Sequence, residues 1–170
     1  MTGSLLVAHP SLTDSNFRRT IVFLSHHSAD EGATGLVVNR PLGESLSDLP
    51  GLQPVPVFFG GPVQTSEIIL ASLQWRSDPT VVAFRTFPGP IGNLDIEPEW
   101  HPGLRAFAGY SGWTRGQLEG EIEEKAWIVI PPTRELLSLD ASDSEWKFIM
   151  RQTSPLLHLL SEAPDHPELN

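Results

Sequence analysis

Short, nearly unbroken apolar runs cut by breaker residues dominate the pattern of the chain. Runs of about four to eight apolar, β-branched or aromatic residues between turn signals read as buried strands. Ser4-Leu5-Leu6-Val7-Ala8, stopped by Pro10, is one, and Thr20-Ile21-Val22-Phe23-Leu24-Ser25 is a second. Gly35-Leu36-Val37-Val38-Asn39, ended by Pro41, is a third. Val55-Pro56-Val57-Phe58-Phe59 is a fourth, and Pro56, lacking an N–H, puts this end at a sheet edge or strand start. Glu67 to Ala71, Val81 to Phe84 and Ala126 to Ile130 complete the set, the last ended by Pro131-Pro132.

Helical signals are fewer. Ser45 to Leu49 supports one or two turns at most. Thr114 to Glu124 places Leu118 and Ile122 on one face. Thr133 to Leu137 reads as a capped helix start. Ser142-Asp143-Ser144-Glu145 fits a capping box ahead of Trp146, Ile149 and Met150, in a helix that Pro155 ends or kinks. Pro88 to Gly103 is rich in breakers and reads as a long surface loop. No repeat or interior linker divides the chain, so residues 1–161 are expected to form a single domain and 162–170 a frayed polar tail.

Composition narrows the chemistry. The 170 residues include no Cys, which excludes disulfides, thiolate metal sites and Cys nucleophiles. The formal charge is −10, and the acidity is concentrated beyond residue 115, where 4 bases face 11 acids. Arg18-Arg19 is the only adjacent basic pair, so nucleic-acid binding is not expected, and a basic partner is electrostatically easier than an acidic one. No apolar run approaches ~18 residues and no signal-peptide pattern opens the chain, so a cytoplasmic protein without membrane association is expected.

Tests for catalytic patterns come out mostly negative. Gly109-Tyr110-Ser111-Gly112-Trp113 resembles a nucleophile elbow, but Trp113 stands where the second Gly is needed, which favours a tight turn or binding loop over a catalytic Ser111. His26 and His27 point to opposite faces of a strand end, so no metal site is expected there, and no cofactor is expected. Gly60-Gly61-Pro62 suits a sharp turn or, less well, an anion-binding loop. Glu119, Glu121, Glu123 and Glu124 read as a solvated acidic face. Asp14 is placed to pair with Arg18 or Arg19 and pin the turn before the second strand. Trp113 suits core packing or a ligand platform.

Four stretches, in order, resemble the YqgE/AlgH family of bacterial proteins. They are Leu12-Thr13-Asp14-Ser15-Asn16-Phe17-Arg18-Arg19-Thr20-Ile21-Val22, Gly32-Ala33-Thr34-Gly35-Leu36-Val37-Val38-Asn39-Arg40-Pro41, Phe59-Gly60-Gly61-Pro62-Val63, and Phe107-Ala108-Gly109-Tyr110-Ser111-Gly112-Trp113 with Gly116-Gln117-Leu118-Glu119 and Trp127. Ser15 and Arg115 stand where Pro is common in the family. The resemblance implies an α+β fold, a small closed β-barrel with a splayed mixed sheet surrounded by helices. It carries no agreed catalytic residues, and the transcriptional-regulator label of some members comes through a link to alginate control. The expected function is a non-enzymatic binding or regulatory role toward a protein or small ligand. The alternatives are an enzyme of unrecognised class using Asp14, Arg19, Arg40 or Glu119, and, further off, a DNA-binding regulator. The expected ligand site is built from Asn39, Arg40, Gly60, Gly61, Gly109, Tyr110, Ser111 and Trp113, on three loops converging on one cleft. Nothing in the pattern specifies an oligomeric state.

Overall fold

The computed structural model describes residues 1–47, 49–77 and 80–163. Its strands are β1 (Leu5–Ala8), β2 (Ile21–Ser28), β3 (Gly32–Val37), β4 (Pro41–Leu46), β5 (Val55–Phe59), β6 (Val63–Ser77), β7 (Thr80–Thr86), β8 (Leu104–Trp113) and β9 (Trp127–Ile130). The helices are α1 (Gln117–Glu123), α2 (Asp143–Thr153) and α3 (Pro155–Ser161). The strands join one mixed sheet in the order β4-β5-β8-β3-β2-β1-β9, with the β6–β7 hairpin branching from β8. The class is α+β as expected, and the barrel takes the form of a curled half-barrel whose pairing order ends on β4 and β9.

The unbroken apolar runs have a simple cause: β1 and β2 are buried on both faces. Successive side chains alternate between faces. Leu5, Val7, Ile21, Phe23, Leu36 and Val38 therefore enter one core, which α2 closes with Trp146, Ile149 and Met150. Leu6, Ala8, Val22, Leu24, Ala33 and Val37 enter a second core on the opposite face, closed by Leu118 of α1 with Trp113 and Trp127. The expected capping box forms at Ser142, where Glu145 accepts from the Ser142 amide at 2.5 Å.

Three expectations need correction. Gly109 to Trp113 is not a loop. It is the second half of β8, which pairs with β3 from Ser111 to Trp113. Ser45 and Leu46, read as the start of one or two helical turns through Leu49, instead end the strand β4, laddered to Pro56 and Val55 of β5. The segment from Thr133 forms turns rather than a helix, closed by Leu137 N–H on the Thr133 carbonyl. Pro56 does precede the stretch of β5 that pairs with β8, which begins at Val57. The breaker-rich Pro88 to Gly103 is a loop with two 3-10 turns, and it buries Ile96 in a third core with Phe87, Leu104 and Ala106. The expected polar tail lies mostly outside the described residues.

Candidate functional site

The loop between β1 and β2 folds back on itself through Asp14, whose Oδ1 accepts from the amides of Asn16 and Phe17 at 3.0 Å each. Thr20 then donates its amide and hydroxyl to the Phe17 carbonyl. This tight return forces Arg19 to φ +57°, a left-handed conformation uncommon for a residue with a side chain. Such strain persists only where surrounding contacts hold it, and it clusters at functional sites.

Asn39 and Arg40 supply those contacts. Asn39 is buried; its Oδ1 accepts from Ile21 N–H at 2.8 Å and its Nδ2 donates to the Arg19 carbonyl at 2.9 Å. The Arg40 guanidinium donates to the carbonyls of Asn16 at 2.7 Å, Arg18 at 2.8 Å and Ser15 at 3.3 Å, and lies over Phe59. Burial, and then repulsion from Arg18, lower the Arg40 pKa, opposed by Asp14 and Asp143. Arg19 lies 5.6 Å from the Trp146 ring and 3.7 Å from Asp143 at the start of α2.

These groups line one cleft of about 250 Å³, bordered by Arg18, Arg19, Asn39, Arg40 and Asp143. A smaller hollow of about 70 Å³ continues past Arg18 and Arg19 toward Leu12, Trp146 and Ser161. Among the described residues, three arginines and one aspartate line the cleft, in a protein whose overall charge is −10. Asp143 is also shared with Lys147, 3.7 Å away. The arrangement concentrates positive potential where forked donors can grip an anionic group.

The other expected site residues meet elsewhere. Gly60, Gly61 and Gly109 bring two backbones into contact: a Cβ on Gly60 would stand 2.2 Å from the Gly109 carbonyl oxygen, and one on Gly61 2.2 Å from the Tyr110 carbonyl. Ser111 is fully buried and donates to the Gly60 carbonyl at 3.1 Å. Tyr110 pairs with Val63 and packs against the first core. Trp113 is 5% exposed and donates its indole N–H to Glu121 at 2.9 Å, the same oxygen that accepts from Trp127 at 2.8 Å. Glu121 is thus an acceptor for two core indoles, not part of a solvated face. Glu119 accepts from His27 Nε2 at 2.5 Å, which lowers its pKa. Of the expected set, Asn39 and Arg40 line the cleft. Gly61 and Tyr110 do not.

A larger apolar cleft of about 780 Å³ opens between β9, the turns after it and α2, beside the exposed Phe148. Its acidic lining residues are Glu135 and Glu145, and Glu145 is committed to capping α2. Among the described residues no cluster of His, Asp and Glu could hold a metal ion, and no helix is long and apolar enough to cross a membrane.

Residues 5–157 match the AlgH-like family. The chain belongs to that family. A UPF0301 protein of Thermobifida fusca is 35% identical over 190 residues, spanning 100% of this chain and 96% of the relative. Another, from Streptomyces avermitilis, is 37% identical over 186 residues, spanning 100% and 95%. The solution structure of the AlgH protein from Pseudomonas aeruginosa superposes with a TM-score of 0.63 at 26% identity, covering 96% of this chain and 94% of that one. A crystal structure from Corynebacterium diphtheriae superposes at 0.69 with 23% identity, covering 95% and 91%, and shares the fold. The AlgH-like motif stretches divide in this structure between the arginine cleft (the segments 12–22 and 32–41) and the glycine crossing with its Trp cluster.

Proposed function

We propose that this AlgH-like chain is a cytoplasmic, non-enzymatic binding protein with a regulatory role, recognising an anionic group on a protein or small ligand at the arginine cleft. One observation carries the reading: Arg18, Arg19 and Arg40 line a single cavity in which, among the described residues, Asp143 is the one carboxylate. The strained Arg19 and the Asn39–Arg40 clamp hold the cleft in shape before a ligand arrives, which reduces the ordering cost of binding. Charge-assisted, forked hydrogen bonds to a carboxylate or phosphate suit such a group. Its size suits one or two anionic groups; duplex DNA recognition instead uses a row of phosphate contacts. This reading departs from the basic partner that the overall charge of −10 favours, and its support is the arginine lining of the cleft.

The test is capture from cell lysate by the wild-type chain and by Arg18→Ala, with metabolites and proteins both identified. Arg18→Ala is chosen because the Arg40 clamp uses only the Arg18 backbone carbonyl, which the substitution leaves in place. Anion-bearing molecules retained by wild type and lost by Arg18→Ala, at equal melting temperature, support the proposal. Identical captured sets overturn it.

A further inference from the structure

A second cationic feature lies away from the cleft and shares no lining residue with it. Arg105 sits on β8 between Leu104 and Ala106, both buried, and is itself 1% exposed. Its Nε donates to the Gly103 carbonyl at 3.4 Å. One terminal nitrogen donates to the carbonyls of Leu137 at 2.7 Å and Leu73 at 3.3 Å. The guanidinium lies 5.6 Å from the Phe58 ring. The other terminal nitrogen, Nη1, is buried without a partner.

Among the described residues no carboxylate pairs with Arg105, and burial lowers its pKa to about 10 with no neighbouring charge to oppose it. A buried cation is normally retained with a partner, because carbonyl dipoles alone compensate poorly for lost hydration. Here the missing partner coincides with an opening. Arg105 lines a cavity of about 330 Å³ with Leu73, Trp75, Leu137, Ser138 and Arg134. Arg134 is exposed, whereas Leu73 and Leu137 are buried. The lining thus brings together an exposed arginine, buried apolar side chains and a buried guanidinium whose Nη1 has no partner. The cavity volume is at the lower end of the ~300–1,000 Å³ range of ligand pockets.

We propose that this cavity binds a small amphipathic oxyanion, a carboxylate or phosphate on a short apolar body, with the anionic group held by Arg105. The apolar body lies against Trp75, Leu73 and Leu137, and Arg134 attracts the anion at the entrance. The inference stands independently of the arginine cleft.

The test is an NMR titration of the full-length ¹⁵N-labelled protein with hexanoate, hexyl phosphate and hexan-1-ol. The expected result is saturable movement of the Leu73, Gly103 and Ser138 amides with hexanoate, hexyl phosphate or both. The stronger of the two identifies the headgroup. Hexan-1-ol should bind at least ~10-fold more weakly, since it cannot form the charge-assisted bonds. Arg134→Gln, at an exposed position, should weaken the anion several-fold with an unchanged melting temperature. Because Arg105 variants disturb three buried carbonyls, the site assignment rests on the wild-type amide map. Three results would each overturn the proposal: no movement at ~20 mM ligand, well above a millimolar Kd; movement confined to the Arg18–Arg40 cleft; or equal binding of hexan-1-ol.

Discussion

Replacing Glu121 by Ala should cost more than its place on a short surface helix suggests. One carboxylate oxygen accepts from Trp113 at 2.9 Å and Trp127 at 2.8 Å, and the other accepts from Gln117 at 3.1 Å. The two indoles pack edge to face, 5.9 Å apart, with Phe17 against both. They are 5% and 4% exposed, so water reaches their N–H groups poorly once the acceptor is gone. A hydrogen bond to a charged group contributes ~1.5–3 kcal/mol, and two give ~3–6 kcal/mol before relaxation. Glu121 is itself partly exposed, which weakens each bond, and we expect a net loss of ~2–4 kcal/mol. Ala is the best helix former, so α1 propensity cannot account for such a loss. Urea unfolding followed by tryptophan fluorescence reads the change directly, as a lower midpoint at unchanged slope. Glu121→Gln keeps one carbonyl acceptor and should fall between wild type and Glu121→Ala. A loss below ~1 kcal/mol for Glu121→Ala would refute the claim that this carboxylate holds the tryptophan pair.

Three further outcomes are expected. Gly61→Ala places a Cβ 2.2 Å from the Tyr110 carbonyl at φ +152°, so it should destabilise by more than ~3 kcal/mol in urea melts or prevent soluble expression; a near-neutral melt would refute the close crossing. The hydrogen bond from His27 lowers the Glu119 pKa from 4.5, so its contribution is present above that value and is lost as pH falls through the lower, folded-state value. The stability difference between wild type and Glu119→Gln should accordingly shrink in acid, and a difference that grows would reverse the assignment. Duplex DNA should bind with Kd ~10⁻⁴ M or weaker at physiological salt by fluorescence anisotropy, and a sub-micromolar, salt-steep isotherm would contradict this.

The frame of the molecule was legible where burial is two-sided. β1, β2 and β5 are apolar runs because cores lie on both faces, and β9, at the end of the pairing order, because Trp127 enters the second core while Ile128 and Ile130 pack against the first. β8 escaped because Gly109 and Gly112 imitate a turn, while Gly109 is there to let Gly61 pass close by. β4 escaped because exposed residues with Gly43 at φ +73° carry no alternation. For the site, Asn39 and Arg40 stood out from their loop context, but their clamp on the residues around Arg18 and Arg19 depends on a fold-back invisible to pattern. Asp143 joins them from more than a hundred residues away, through a capping box that local reading could find but not place. Arg105 gave no signal, because its strand was not recognised and a lone Arg in an apolar run does not reveal whether it has a partner.

The position of β1 has a consequence for how the protein is made. Its four residues ladder with β2 on one side but with β9 on the other, Leu5 opposite Ile130 and Ala8 opposite Trp127, and Trp146 of α2 donates to the Ala8 carbonyl. At ~5–20 residues synthesised per second, roughly 6–24 s separate the emergence of β1 from that of its second neighbour. During that interval a fully apolar strand is available with one edge open, α2 not yet built and α1 emerging only at its end. Pairings this distant in sequence also slow folding. Nascent chains stalled before β9 should therefore be held by chaperones or aggregate, while chains released beyond α2 close both cores.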